Sequence, residues 1–134
     1  MIGILVISHE QLGASLIDCL VHILGERPPL LVNHAVFPAA DPDTEATRLQ
    51  TTLRQLDQGD GVLILTDIFG ATPANIACRL VRHGHIECLA GLNLPMLLRA
   101  VQYRHQPLPR LIDKVLAGGR ESIIQTTSGN GHAN

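Results

Sequence analysis

Two polar residues, each placed at the end of a run of apolar residues, form the pair in this chain best suited to chemistry. His9 follows the run 2–8, and Asp67 follows the equivalent run 62–66. If the two runs are neighbouring parallel strands, both side chains emerge at the same carboxyl edge, with backbones about 5 Å apart. A carboxylate there can orient an imidazole and fix its tautomer. The pair is therefore a candidate catalytic site.

The chemistry that best suits this histidine is phosphoryl transfer. A neutral ring nitrogen is a nucleophile near pH 7, and the resulting phosphoramidate remains a good phosphoryl donor, so the group can be relayed onward. Asp67 would hold the other ring nitrogen and stabilise the positive charge that develops on the ring. The remaining histidines show no comparable pairing and receive no role: His22, His34, His83, His85, His105 and His132.

The segment that follows Asp67 has the residue types of an anion site. Gly70 permits unusual backbone angles, Ala71 keeps side-chain bulk low and Thr72 supplies a hydroxyl, while Pro73 fits the first position of a helix. A helix that starts with Thr72 as its N-cap would direct unpaired N–H groups outward, so Gly70 to Thr72 are candidate phosphate-binding residues. An ordinary strand-to-helix turn capped by Thr72 is the alternative, and His9 favours the phosphate site.

Composition limits the classes of function that are open to the chain. Its 134 residues suffice for a single domain, and its 46% hydrophobic and 2% aromatic content predicts a core of aliphatic side chains. A net charge of −2 without a basic stripe argues against nucleic-acid binding. Three cysteines without a C-x-x-C pair predict buried thiols rather than a disulfide or zinc site. They are Cys19, Cys78 and Cys88.

Two further absences lead to expectations about metals and location. His83 and His85 have a spacing seen among metal ligands, but no third ligand lies nearby in the sequence, so no metal site is predicted. The amino-terminal apolar run is too short to cross a bilayer and lacks the features of a signal peptide. We therefore expect a cytoplasmic protein.

Apolar runs of strand length alternate with stretches of helical period, a pattern that predicts an α/β fold with an open, mostly parallel sheet and helices on both faces. We expect the strand order 2-1-3-4 in one domain over 1–127. The predicted strands cover 2–8, 30–37, 61–66 and 86–92, and the predicted helices cover 12–24, 43–58, 72–82, 95–105 and 108–116. A last β-prone segment covers 121–127, and we expect the polar tail 128–134 to be disordered.

Four segments in order resemble the mannose-family enzyme IIA (EIIA) domain of the bacterial phosphotransferase system. They are Gly3–His9, Thr66–Asn75, Gly91–Leu97 and Gly119–Glu121. Each motif is moderately specific, but the four together make the resemblance strong, and it extends through about residue 127.

This resemblance implies that the chain is a phosphotransferase without a cofactor, nucleotide or metal. His9 would accept a phosphoryl group from the carrier protein HPr and donate it to a IIB component, with Asp67 as the orienting acid. The resemblance also implies a homodimer in which the segment 121–127 crosses over to pair antiparallel with the partner's sheet. Pairing of this segment within its own subunit is the alternative.

Two departures from the familiar pattern affect the expected partners. No IIB domain follows within the 134 residues, so we expect a IIB acceptor to be a separate chain, or the phosphoryl group to serve as a regulatory signal. The membrane would then be reached only through other transporter components. Phe69 stands where the family commonly has a larger indole, and Phe37 begins a loop at the same edge. Both are candidate partner contacts, although the Phe37 loop can also be a plain connector.

Three other functions fit parts of the sequence. The phosphotransferase-like subunit of dihydroxyacetone kinase also carries a histidine after its first strand, but its loop resembles 67–73 less well. A two-component receiver needs an acidic cluster after strand 1 and a late lysine, whereas Ser8-His9-Glu10 has one carboxylate and Lys114 lies in a predicted helix. A module that senses a small anion without chemistry would leave His9 unphosphorylated.

Overall fold

A computed structural model describes residues 1–129 and confirms the predicted parallel sheet. Its four strands are Gly3–His9 (β1), Leu31–Val36 (β2), Val62–Thr66 (β3) and Ile86–Leu89 (β4), in the order β2-β1-β3-β4. The helices are Leu12–Leu24 (α1), Pro42–Leu56 (α2), Thr72–Cys78 (α3), Leu94–Gln102 (α4) and Leu108–Glu121 (α5). All three strand pairings are parallel, so every strand ends at the same edge.

Helices cover both faces of the sheet, which explains why β1 is apolar at nearly every position. Ile4 and Val6 face a core that includes side chains from α1, α4 and α5, whereas Leu5 and Ile7 face a core that includes α2 and α3. All four side chains are fully buried. Alternation along the strand thus anchors β1 in two cores and leaves only its carboxyl end available for a site.

A buried arginine closes the opposite, amino-terminal edge of the sheet. The Arg104 guanidinium donates through Nε to the Ile2 carbonyl at 3.0 Å, through Nη1 to the Pro29 carbonyl at 2.6 Å and through Nη2 to the Leu30 carbonyl at 2.7 Å. Burial lowers the pKa of Arg104. Carbonyl groups thus satisfy this cation and tie β1, the approach to β2 and the end of α4 together.

The last helix ends later than predicted, and the predicted final strand does not form within the described single chain. Helix α5 continues through Gly118 and Gly119 to Glu121, and 123–127 has no regular secondary structure. The two glycines allow close packing instead of ending the helix: a Cβ at Gly118 would lie 2.5 Å from Arg99 Cγ, and one at Gly119 would lie 2.6 Å from Met96 Cγ. Antiparallel pairing with a second subunit remains a prediction.

Three other elements end at least three residues earlier than predicted, and one of them is α4, which ends at Gln102 rather than residue 105. Helix α3 ends at Cys78 rather than near residue 82, because a turn follows in which Arg82 exchanges two backbone hydrogen bonds with Ile86 across Gly84. Gly84 has a φ of 83°, which a continuing helix cannot accommodate. Strand β4 ends at Leu89 instead of residue 92. The predicted tail 128–134 lies mostly outside the described residues.

The prediction of three buried thiols is also wrong. Cys19 and Cys78 are exposed, because the helical period directs Ile17 and Leu20 of α1 and Ala77 of α3 into the core instead. Cys88 is half-buried, and its burial raises the pKa of the thiol to about 11, so it stays protonated at neutral pH.

Across the described residues, every helix is either too short or too polar to cross a lipid bilayer.

Candidate functional site

The structure brings His9 and Asp67 into direct contact at the carboxyl edge of the sheet. The distance between His9 Nδ1 and Asp67 Oδ2 is 2.7 Å, and the backbone N–H of His9 donates to the same oxygen at 3.0 Å. The second carboxylate oxygen, Oδ1, accepts from the backbone N–H of Ile68 at 2.9 Å. The register of β1 with β3, which pairs Ile7 with Thr66, places the two chain ends side by side.

These contacts keep Asp67 ionised. Burial works to raise the pKa of Asp67, but the hydrogen bonds from His9 and Ile68, together with the adjacent imidazole, outweigh it and lower the pKa below its usual value. The Asp67 side chain is 8% exposed, so these bonds are well shielded from water. At neutral pH a fixed, ionised acceptor is therefore present beside the ring.

The contact with Asp67 also determines which nitrogen of His9 is available for reaction. An ionised carboxylate only accepts hydrogen bonds, so Nδ1 carries the hydrogen of the neutral ring. The lone pair then lies on Nε2, and the side chain is 45% exposed. His9 thus presents a nucleophilic nitrogen to the outside while Asp67 holds the opposite side of the ring.

A buried hydroxyl fixes the backbone on either side of His9. Ser8 is fully buried, and its Oγ accepts a hydrogen bond from the N–H of Gly13 at 2.9 Å, which joins the end of β1 to the first turn of α1. Gly13 allows this approach, since a Cβ there would lie 2.6 Å from Ser8 Oγ and 2.1 Å from Asn33 Oδ1. The connection from His9 to α1 is therefore short and held by a buried hydrogen bond.

His9 opens into a cavity of about 250 Å³. The other lining residues are Glu10, Val36, Phe37, Pro38, Ala39, Ala40 and Thr72. The loop after β2 therefore forms one wall of the cavity, as expected for Phe37, and it contributes mainly apolar side chains. A space of this size beside a reactive nitrogen accommodates a phosphoryl group.

The candidate phosphate-binding loop differs from its prediction in one respect. Ala71, not Thr72, is the N-cap of α3, and no side chain caps this helix. Thr72 occupies the first helical position and Pro73 the second. The Thr72 hydroxyl is thus not used for capping, and it lines the cavity with His9. Gly70 has the left-handed backbone that its residue type predicted, with a φ of 86°.

The two phenylalanines proposed as partner contacts are both at the surface. Phe69 is 85% exposed and Phe37 is 49% exposed, and Ile68 between Asp67 and Phe69 is also exposed. Large apolar side chains around a reactive histidine are typical of a surface that docks another protein.

Glu10 is a member of the site that the sequence interpretation did not single out. It lines the cavity and has a φ of 52°, a conformation that side-chain-bearing residues rarely adopt. Its position directly after the strand-ending His9 was the available signal. Within the described residues, no group of three or more His, Cys, Asp and Glu side chains is arranged to hold a metal ion.

The comparisons with known proteins place this chain in a family. The family model described as the phosphotransferase system (PTS) fructose IIA component, EIIA-man, matches residues 3–116. The chain belongs to this family. The match favours the mannose-type interpretation over the receiver and dihydroxyacetone kinase interpretations.

Individual relatives agree with the family match. The chain is 30% identical over 125 residues to the PTS mannose-specific EIIAB component of Escherichia coli K12, covering 91% of this chain but only 38% of that protein. It is 28% identical over 125 residues to the PTS fructose-specific EIIA component of Bacillus subtilis 168, covering 92% of this chain and 85% of the relative. The crystal structure of EIIA from Streptococcus agalactiae superimposes with a TM-score of 0.82 at 28% identity, covering 93% and 97% of the two chains.

The lowered pKa of Asp67 predicts a pH-dependent contribution to stability. An acid whose pKa is lower in the folded state stabilises the fold above its unfolded pKa of about 3.9, and this contribution is lost as the pH falls through the folded value. We expect Asp67→Asn to lower the free energy of unfolding by about 2 kcal/mol at pH 7. The difference from wild type should shrink below about pH 4.

Urea unfolding at pH 7 and at pH 3, followed by circular dichroism, measures this difference. The exposed residue Asp18 provides a control, since Asp18→Asn should change stability by less than about 0.5 kcal/mol at either pH. A difference between Asp67→Asn and wild type that does not vary with pH would contradict the prediction.

Proposed function

We propose that this protein is a cytoplasmic phosphocarrier that accepts a phosphoryl group on His9 from phosphorylated HPr and passes it to a IIB component. The observation that carries the proposal is the short hydrogen bond from His9 Nδ1 to the ionised Asp67, which leaves Nε2 open to a cavity. Membership of the EIIA family supports the same assignment.

The transfer needs a nucleophile, a phosphoryl donor in line with it and no other reagent. The Nε2 lone pair forms a bond to phosphorus while the bond from phosphorus to the donor's histidine nitrogen breaks, and the donor nitrogen keeps that electron pair. His9 retains its Nδ1 hydrogen, so the ring becomes positively charged and Asp67 stabilises it at 2.7 Å. In the second transfer the acceptor forms a bond to phosphorus while the bond from phosphorus to Nε2 breaks, and Nε2 keeps that electron pair.

The start of α3 offers the groups that would hold the phosphoryl oxygens. Because the N-cap Ala71 has no side-chain acceptor, backbone N–H groups at this end of the helix have no capping partner. The Thr72 hydroxyl lines the same cavity as His9. We assign the hydroxyl of Thr72 and the N–H groups of Gly70 to Thr72 to the phosphoryl oxygens, and Phe37 and Phe69 to contacts with the partner proteins.

The first prediction concerns the site of phosphorylation. Purified protein mixed with phosphoenolpyruvate, enzyme I and HPr should acquire one acid-labile, base-stable phosphoryl group on His9, because a phosphoramidate has that stability pattern. Intact mass spectrometry before and after acid treatment detects the adduct. His9→Ala should remain unmodified, and His22→Ala, which alters an exposed histidine of α1, should be labelled like wild type.

Labelling that persists in His9→Ala would exclude the proposal. An absence of labelling in wild type with an active donor system would favour an anion-sensing module instead.

The second prediction concerns the role of Asp67 in the transfer. Asp67→Ala should slow phosphoryl transfer by about 10²-fold, on the scale of a lost positioning or acid-base contact, since the ring loses both its orientation and its counter-charge. Rapid-quench measurements with phosphorylated HPr give the rate, and Asp18→Ala is the matched control. A folded Asp67→Ala protein that transfers at the wild-type rate would remove Asp67 from the mechanism.

We further propose that the chain forms a homodimer through its carboxyl-terminal segment. Among the described strands β4 pairs only with β3, so the β4 edge of the sheet lacks a further strand. Ile123 and Ile124 in the segment after α5 are 81% and 62% exposed, which is unfavourable for two adjacent aliphatic side chains in water. Pairing of this segment with the sheet of a second subunit would supply a strand at such an edge and bury both isoleucines.

Sedimentation velocity tests this dimer. Wild type should sediment with twice the 14.5 kDa mass of one chain, and Ile123→Asp/Ile124→Asp should sediment as a monomer because charged side chains oppose burial. Ile23→Asp, at a residue 51% exposed on α1, should leave the dimer intact. A monomeric wild type at tens of micromolar would contradict the proposal.

A further inference from the structure

Glu10, the residue that follows the proposed phosphoryl carrier, adopts an unfavourable backbone conformation. Its φ of 52° lies in the left-handed region, where a side chain costs about 1 kcal/mol relative to glycine. The backbone N–H of Glu10 donates to the Val36 carbonyl at 3.0 Å, so the strand pairing beyond His9 imposes this conformation. Glycine would meet the backbone requirement without this cost.

The strain is concentrated at the cavity. Among the described residues, three that are not glycine have a positive φ: Glu10, Leu30 and Ala39. Glu10 and Ala39 both line the cavity that contains His9. Strained residues that cluster at one site are a reason to look for a function of the side chain that is retained there.

The charge of the cavity indicates what that function is. The residues that line it include Glu10 but no lysine or arginine. Asp67 adds a second negative charge on the other side of the ring. In the part of the chain that the structure describes, no salt bridge or side-chain hydrogen bond engages the Glu10 carboxylate. Its charge is thus available to act on whatever occupies the cavity.

We propose that Glu10 raises the phosphoryl-transfer potential of phosphorylated His9 by like-charge repulsion. This inference rests on the proposed function. A phosphoryl group on Nε2 carries two negative charges and would occupy the cavity that Glu10 lines. The repulsion is relieved when the group leaves. Glu10 therefore destabilises phosphorylated His9 and makes it a better phosphoryl donor. Glu10 acts through the field at His9 and forms no bond to phosphorus.

The equilibrium between phosphorylated HPr and this protein measures the effect directly. Mixtures of purified phosphorylated HPr and each variant, without enzyme I or phosphoenolpyruvate, are taken to equilibrium and their phosphorylated fractions are determined by intact mass spectrometry. Glu10→Gln keeps the size of the side chain and removes its charge. We expect it to shift the equilibrium toward phosphorylated His9 by about fivefold, the scale of one carboxylate acting on a dianion through water at several ångströms.

Three companion variants separate charge from backbone strain. Glu10→Asp keeps the charge and should match wild type, whereas Glu10→Gly removes both charge and strain and should shift the equilibrium as Glu10→Gln does. Glu26→Gln removes an exposed carboxylate beyond the end of α1 and should match wild type. In 1 M NaCl the difference between Glu10→Gln and wild type should shrink, because salt screens the repulsion.

The outcomes distinguish this inference from the function on which it rests. If wild type becomes phosphorylated and Glu10→Gln reaches the same equilibrium, the role of Glu10 is excluded while the phosphocarrier function stands. A shift in Glu10→Gly without one in Glu10→Gln would assign the effect to backbone strain and also overturn the proposal. If wild type accepts no phosphoryl group from HPr, both proposals fail together.

Discussion

The parallel pairing of β1 on both of its sides is the constraint on which the rest of the structure depends. Hydrogen bonds to β2 and β3 fix the position of β1 along the sheet, and its side chains anchor both cores. Because all four strands run in one direction, this register also determines which residues meet at the carboxyl edge. The contact between His9 and Asp67 is a consequence of that register, and a slip of β1 by one residue would turn His9 to the opposite face of the sheet.

Much of this arrangement could be predicted from sequence because buried parallel strands leave a strong local signal. Apolar runs of strand length separated by helical periods predicted the order of elements, and the polar residues that end two of those runs predicted the His9–Asp67 pair. The predictions failed where a residue type has more than one use. Gly118 and Gly119 permit helix packing rather than ending α5, and Ala71 rather than Thr72 occupies the N-cap.

Other features depend on contacts that no local pattern contains. The strain at Glu10 follows from the backbone bond to Val36, which lies in a different strand. The exposure of Cys19 and Cys78 follows from which face of each helix the two cores select. Burial of Ile123 and Ile124 by a second subunit would likewise depend on contacts that a single chain does not contain. The apolar character of that segment was visible in the sequence, but its partner was not.

The hydrogen bonds of Arg104 affect the order in which parts of the protein can fold during synthesis. The hydrogen bond from Arg104 to the Ile2 carbonyl joins positions 102 residues apart. The same guanidinium also donates to the Pro29 carbonyl, just before β2. The buried edge of β1 is therefore complete only after the segment that follows α4 has been synthesised. Until then apolar surface of β1 stays exposed, which favours aggregation of the incomplete chain.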